Sequence, residues 1–300
     1  MERGNYSIFH CGYLVIKSVA YFPSQCAQNS GPVMQAMLDS LHAAGIATQE
    51  NSWDADAVII WSVLWAGRMA NNQTVWSHYR SLGRPVIIID VGALYRGETW
   101  KIALNSITAT GYYGHTENLD WDRPRKLGIS LAINVTRNPR IVIVAQHARS
   151  LQVTGLASME GWVVDQVQRL RTVTDRPIVV RPHPRSRLDP AGLVHLPADV
   201  IIEQPVKIVD TYDSYNLAFD CHAMVNHNSG PGIQAALAGT RPMVDSTSLA
   251  HAVSIDLHHI EQPYTADRDQ WLVEICHTEY TVEEIKKGLW LQRLQPQLGL

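Results

Sequence analysis

Thr174-Asp175-Arg176-Pro177-Ile178-Val179-Val180-Arg181-Pro182-His183-Pro184-Arg185 decides the fold of this chain. Ile178, Val179 and Val180 form an all-apolar, β-branched run, the mark of a strand buried on both faces. Pro182 and Pro184 end that strand and stiffen the loop behind it. The pattern returns at Ala223-Met224-Val225-Asn226, which hands over to His227-Asn228-Ser229-Gly230-Pro231-Gly232-Ile233-Gln234-Ala235. In open α/β sheets such strand-end loops form the edge at which ligands bind.

Outward from these two segments, strand and helix signals alternate. Strands are expected at 141–145, 177–180, 200–202, 223–226 and 242–244, with helices at 159–170, 213–219 and 232–238. Gly239 is placed as a C-cap. Continuous apolar strands separated by helices imply a parallel sheet covered on both faces. The first half is similar in kind and less regular. Its expected strands are 13–19, 58–61 and 85–90, its helices 32–43 and 72–82, closed by Gly45 and Gly83. Residues 120–139 are polar and broken by prolines, as a domain boundary is. The expectation is α/β, with two Rossmann-like domains facing a cleft. Residues 1–135 are expected to form the first domain, 136–265 the second, and 266–300 helices packing back toward the first.

Three hundred residues with 46% apolar content suffice for two packed cores. The net charge of −3 conceals an uneven distribution. Residues 123–187 hold twelve Arg/Lys against three acids, and 188–300 hold fifteen acids against six Arg/Lys. That asymmetry reads as a basic face with an acidic flank, or as an ordinary solvated surface. Cys11, Cys26, Cys221 and Cys276 are scattered, as in an intracellular protein with reduced thiols. No apolar run approaches the ~20 residues of a membrane span, and no signal-peptide pattern is present. A soluble, cytoplasmic protein is expected.

The loop chemistry points to an anionic ligand. Arg181, His183 and Arg185 offer two guanidiniums and an imidazole on a stiffened loop, suited to phosphate oxygens. Asn228, Ser229, Gly230 and Gly232 open a helix whose N–H groups and dipole favour phosphate, with Gln234 one turn on. A turn that only caps its helix is the competing reading. Gln146, His147, Arg149 and Ser150 follow the strand at 141–145 and join the same edge. Lys207 and Tyr212 follow the strand at 200–202, the tyrosine as a base-stacking or half-buried ring. In the first half Asp90 ends a strand, the natural place for a general base toward an acceptor hydroxyl, or for an N-cap. His115 and Asp120 stand in reserve. Arg96, Glu98, Trp100 and Lys101, with Trp65 and Arg68, suggest an acceptor wall for a sugar, a flipped base or a phosphate backbone. Trp61 reads as core.

His183-Pro184 resembles the HP motif of bacterial sialyltransferases and capsule Kdo transferases. The region Asn228-Ser229-Gly230, Gln234-Ala235 and Gly239-Thr240-Arg241-Pro242 is similar to their donor site, and to the corresponding turn of UDP-GlcNAc 2-epimerases. Pro231 and Gln234 depart from the epimerase pattern and count against that activity. The arrangement as a whole resembles the GT-B glycosyltransferases, which implies that residues 1–135 form the acceptor domain and 136–265 the nucleotide-sugar domain. The chain also resembles glycosyltransferase-like proteins of tailed bacteriophages. Trp61-Ser62-Val63-Leu64-Trp65, Asp90-Val91-Gly92-Ala93-Leu94, Arg96-Gly97-Glu98-Thr99-Trp100-Lys101 and the 174–184 segment carry that likeness.

These resemblances imply a nucleotide-sugar donor, UDP-linked by expectation. The favoured acceptor is a 5-hydroxymethyl-pyrimidine in phage DNA, bound partly by the strip Arg123, Arg125 and Lys126. The alternatives are a surface-polysaccharide transferase and a non-catalytic nucleotide- or nucleic-acid-binding module. No P-loop or dinucleotide fingerprint occurs. Metal-type ligand spacings are absent, so transfer without a divalent metal is expected.

Overall fold

The computed structural model describes residues 15–133, 138–153, 155–205 and 217–300. Two sheets organise it. The first contains β1 (Ser18–Tyr21), β2 (Ala47–Glu50), β3 (Ala57–Trp61), β4 (Val86–Val91), β5 (Thr99–Leu104) and β11 (Glu279–Thr281), in the order β11-β5-β4-β3-β1-β2. β1 to β4 run parallel, whereas β5 is antiparallel to both β4 and β11. The second is parallel throughout. It contains β6 (Ile141–Val144), β7 (Ile178–Arg181), β8 (Ile201–Ile202), β9 (Ala223–Asn226) and β10 (Arg241–Val244), ordered β10-β9-β6-β7-β8. The strand order reverses between β6 and β9, the crevice at which such sheets take ligands.

Each sheet is covered on both faces because its strands alternate two apolar sets. In β3, Ala57, Ile59 and Trp61 enter one core with α1 (Gly31–Ala43) and α8 (Leu289–Leu298). Val58 and Ile60 enter the other with α2 (Asn72–Ser81). In the second sheet Ile141, Ile143, Ile178 and Val180 pack against α4 (Met159–Arg171). Val142, Val144 and Val179 lie on the opposite face with Ala235 of α5 (Gly230–Leu237). The α/β class with two Rossmann-like sheets thus stands as expected. Among the described residues no helix is long and apolar enough to cross a membrane. Cys26, Cys221 and Cys276 are buried free thiols.

The sequence expectations fail in three places. Residues 99–104, read as polar loop, form the fully buried β5. β2 was not anticipated. The tail is not continuous helix: α6 (Asp269–Cys276) gives way to β11, α7 (Val282–Lys286) and α8. α7 lies against α1, and Trp290 of α8 is fully buried with its indole N–H on the Ser40 hydroxyl at 3.0 Å. The expected helix at 213–219 falls mostly outside the described residues.

β11 brings a carboxylate into the interior. Glu279 is fully buried and accepts the backbone N–H groups of Ala93 (2.7 Å) and Leu94 (3.0 Å) and the Thr99 hydroxyl (2.8 Å). Three donors offset the desolvation of the charge. Gly92 is obligatory beside it, because a Cβ there would overlap Glu279 Oε2 and both oxygens of Thr99. Gly92→Ala and Glu279→Ala are each expected to lower unfolding free energy by about 2–4 kcal/mol, the first by overpacking and the second by stranding buried donors. Urea denaturation measures this, and a loss below 0.5 kcal/mol (roughly the scale of a neutral surface change) contradicts it.

Candidate functional site

The carboxyl edges of the two sheets face each other across a cleft with room for about 130 Å³. Ser62, Asp90 and Arg96 line it from the first half, and Gln146, His147, His183, Arg185, Ser229 and Gly230 from the second. The cleft floor is narrow: a Cβ on Gly230 would sit 3.4 Å from the Cβ of Ala93. Backbone hydrogen bonds close one side, Trp65 N–H to Arg149 O and Leu151 N–H to Val63 O, both 2.9 Å.

The wall from the second half is rigidly built. Gln146 and Asn228 clamp each other, Asn228 N–H to Gln146 Oε1 at 2.6 Å and Gln146 Nε2 to Asn228 Oδ1 at 3.0 Å. Asn228 also donates to Gln152 O and to the Thr247 hydroxyl, so it shapes the turn rather than presenting a group to the cleft. Asn226 accepts the Ser229 N–H at 2.9 Å and donates to the Ser229 hydroxyl. Ser229 precedes α5 without capping it through its side chain. Gly232 serves packing, since a Cβ there would strike Val244 at 2.8 Å.

His147 and His183 meet edge to face, with ring centroids 5.2 Å apart. Burial pushes His147 down to about 4, helped by Arg185 and Arg149. Burial likewise pushes His183 down to about 3, followed by His147, Arg185 and Arg96. Both rings are therefore neutral at physiological pH. The Nδ1 of His183 accepts Arg185 N–H at 3.0 Å, and the Nδ1 of His147 accepts Arg149 N–H at 3.2 Å. A neutral imidazole accepting at Nδ1 carries its proton on Nε2. The wall thus carries two neutral imidazoles, each with its proton on Nε2, and the Arg185 guanidinium.

On the opposite wall Asp90 ends β4 with Lys101 of β5 as its cross-strand partner. Burial raises its carboxyl above the ordinary range, opposed by the Val91 N–H, Lys101, Arg96 and the Ser62 hydroxyl. No helix follows Asp90, so it is not an N-cap. A carboxylate of raised basicity facing a donor-rich wall can take a proton from a bound hydroxyl.

Other expected site residues lie elsewhere. Arg181 points to the α5 face of its sheet, paired with Glu203 at 3.1 Å, and does not line the cleft. Gln234 and Arg149 are outside the lining as well, and Lys207 and Tyr212 lie outside the described residues. Trp100 is buried in the first core and is no acceptor platform, because β5 alternates Trp100 inward and Lys101 toward the cleft. Trp65 is half-buried, and Arg68, Glu98, His115 and Asp120 are exposed away from the lining. Arg123 is buried, bonded to Cys276 O (2.6 Å), Glu279 O (2.7 Å) and Glu284 (2.7 Å). Arg125 pairs with Asp122 at 3.0 Å and Lys126 with Asp120 at 2.5 Å. The strip at 123–126 therefore presents no unneutralised positive face. Ser62, Gln152 and Glu279 were missed. Ser62 alone carried a signal, following a strand as Asp90 does.

A second cavity, about 670 Å³, lies outside the cleft between α4 and the ends of β9 and β10, with Trp162 and His227 in its wall. Among the described residues no group of His, Cys, Asp or Glu is arranged to hold a metal ion.

No protein-family model matches the chain, and no curated protein matches it. Among solved structures it is similar to the KpsC β-Kdo 2,4-transferase of Thermosulfurimonas dismutans. That likeness has a TM-score of 0.51 and 11% identity over 91% of this chain and 98% of that one. The β-Kdo 2,7-transferase of the same KpsC follows at 0.49, with 13% identity over 93% and 99%. A UDP-GlcNAc 2-epimerase of Methanocaldococcus jannaschii reaches 0.34, with 10% identity over 86% and 91%. The first is a likeness of fold: two Rossmann-like sheets facing a cleft, the GT-B arrangement.

The two imidazoles make stability pH-dependent. Their folded pKa values lie below the ~6.5 of unfolded histidine, so the unfolded chain takes protons first as pH falls. This stabilisation is complete above pH ~6.5 and is lost toward pH ~4. His183→Gln should reduce the slope of unfolding free energy against pH over that window by about one proton. Urea titrations at stepped pH measure it, and an unchanged slope contradicts the assignment.

Proposed function

We propose that this protein is a glycosyltransferase that moves a sugar from a nucleotide-sugar to an acceptor hydroxyl without a divalent metal. The carrying observation is the opposition of two walls. Asp90, a carboxylate of raised basicity, faces His147, His183, Arg185 and the start of α5 across the cleft. Asp90 accepts the acceptor's hydroxyl proton as its oxygen bonds to the anomeric carbon. The bond from that carbon to the leaving phosphate oxygen breaks, and its electron pair stays on the phosphate. Imidazole Nε2–H groups, Arg185 and the Gly230 N–H at the start of α5 stabilise the developing charge, as a metal does in other transferases. The cleft has room for the reacting centre, with the nucleoside extending along the sheet edge. The KpsC likeness supports this reading, since that protein's name describes a sugar transferase.

The acceptor we favour is a glycan hydroxyl. Arg123 is buried, Arg125 and Lys126 are paired with acids, and Trp100 is in the core, so the features expected to grip DNA are otherwise engaged. The second reading, a 5-hydroxymethyl-pyrimidine in phage DNA, keeps support from Arg96 and Lys101 beside the cleft and from the resemblance to phage proteins. Incubation of UDP- and CMP-sugars with hydroxymethylated DNA or bacterial oligosaccharides, followed by mass analysis, separates them. A mass gain on oligosaccharide alone is expected, and a gain on nucleosides alone overturns that choice.

Asp90→Asn keeps the shape and removes the proton acceptor, so turnover should fall by ~10²–10⁴ with donor affinity intact. Near-normal turnover moves the base elsewhere. Activity should survive dialysis against EDTA, whereas loss restored by Mg²⁺ or Mn²⁺ overturns the metal-free reading.

A further inference from the structure

Four non-glycine residues among those described have positive φ, and three are asparagines, the type that tolerates it. The fourth is Ser62, at φ 63°. It is buried, lines the cleft and directly follows β3. A strained residue at such a place calls for a function. The Ser62 N–H donates to Ile89 O at 2.6 Å, which sets it beside Asp90. Its hydroxyl oxygen accepts the Leu64 N–H at 3.2 Å and has its own proton to give. Leu64 in turn forms a bridge with Ser150 of the other half, flanked by the Trp65–Arg149 and Leu151–Val63 bonds that close the cleft.

We propose that Ser62 is a positioning residue: its hydroxyl orients the Asp90 carboxylate toward the acceptor and couples that orientation to the seam between the two halves. Ser62 follows Trp61, the partner of Ile89, so it stands beside Asp90, both residues line the cleft, and the Ser62 hydroxyl is among the groups that hold the Asp90 carboxyl down. Glycine holds the left-handed conformation without strain but lacks the hydroxyl. The inference rests on the reading of Asp90 as base. Other groups also face Asp90: Lys101 from β5, Arg96 from the turn before it, and the buried Tyr113 phenol beyond β5. His147, His183 and Arg185 face it across the cleft. Ser62 joins Asp90 to the seam because its hydroxyl also accepts the N–H of Leu64, the residue that bridges to Ser150.

The test compares Ser62→Gly and Ser62→Ala with the wild type. In Ser62→Gly, urea stability should hold or rise, while kcat falls about tenfold or more with donor KM within about threefold. The acid limb of the kcat profile should move to higher pH, because a donor to the ionised carboxylate is gone. Carboxyl-carbon NMR of aspartate-labelled protein reads the Asp90 titration without turnover, and its midpoint should move up in both variants. An unmoved Asp90 midpoint overturns the proposal whatever the activity, and so does unchanged kcat in a folded Ser62→Gly enzyme. Absence of transfer by the wild type on every acceptor overturns the base assignment instead, and the NMR midpoint still decides the hydroxyl's contact with Asp90.

Discussion

A single buried carboxylate holds the candidate site together. Glu279 arrives on β11, from the far end of the chain, and binds the N–H groups of Ala93 and Leu94. These residues form the turn between β4, which ends at the Asp90 region, and β5, which carries Lys101. Glu279, Lys101 and Asp90 are successive cross-strand partners on one sheet face, so β11, β5 and β4 set an acid, a base and an acid in a row. Arg123 secures the arrangement by binding Glu279 O, Cys276 O and Glu284. Ala93 and Leu94 also enter an apolar cluster with Ile233 of α5 and Trp271 of α6. The same turn therefore fixes the wall that carries Asp90 and sets its distance from the wall that carries His147, His183 and Arg185.

The second half was largely legible because its strands are short, apolar and β-branched, each followed by a loop of polar and glycine residues. Their pattern has one physical solution, a parallel sheet covered on both faces. The antiparallel part of the first sheet was hidden by its own charges. Lys101 read as part of an acceptor wall and Glu279 fell within a helical tail, and their opposition across β5 and β11 buries both. Arg123 likewise read as a phosphate ligand when its partners, Cys276, Glu279 and Glu284, come from the tail. Arg181 is a different failure. It is the last residue of β7 and pairs with Glu203, whereas His183 and Arg185 belong to the loop beyond, and the loop's change of direction is not written in strand alternation.

The electrostatics of the cleft run against a simple count of cations. Two of its donors, His147 and His183, are held neutral by burial and by neighbouring arginines. A neutral donor costs less to desolvate than an imidazolium and still offers its N–H to an anionic oxygen. Asp90 moves the other way, its carboxyl raised by burial. Neutral donors on one side of a narrow gap and a carboxyl of raised basicity on the other are suited to hold a polar group while its proton is taken.

The central claim, that the leaving phosphate binds in this cleft, is tested most directly by a crystal structure with a nucleoside diphosphate. The account predicts phosphate density between His147, His183, Arg185 and the start of α5, opposite Asp90. Phosphate density in the larger cavity beside Trp162 and His227, with the cleft free of it, contradicts the account.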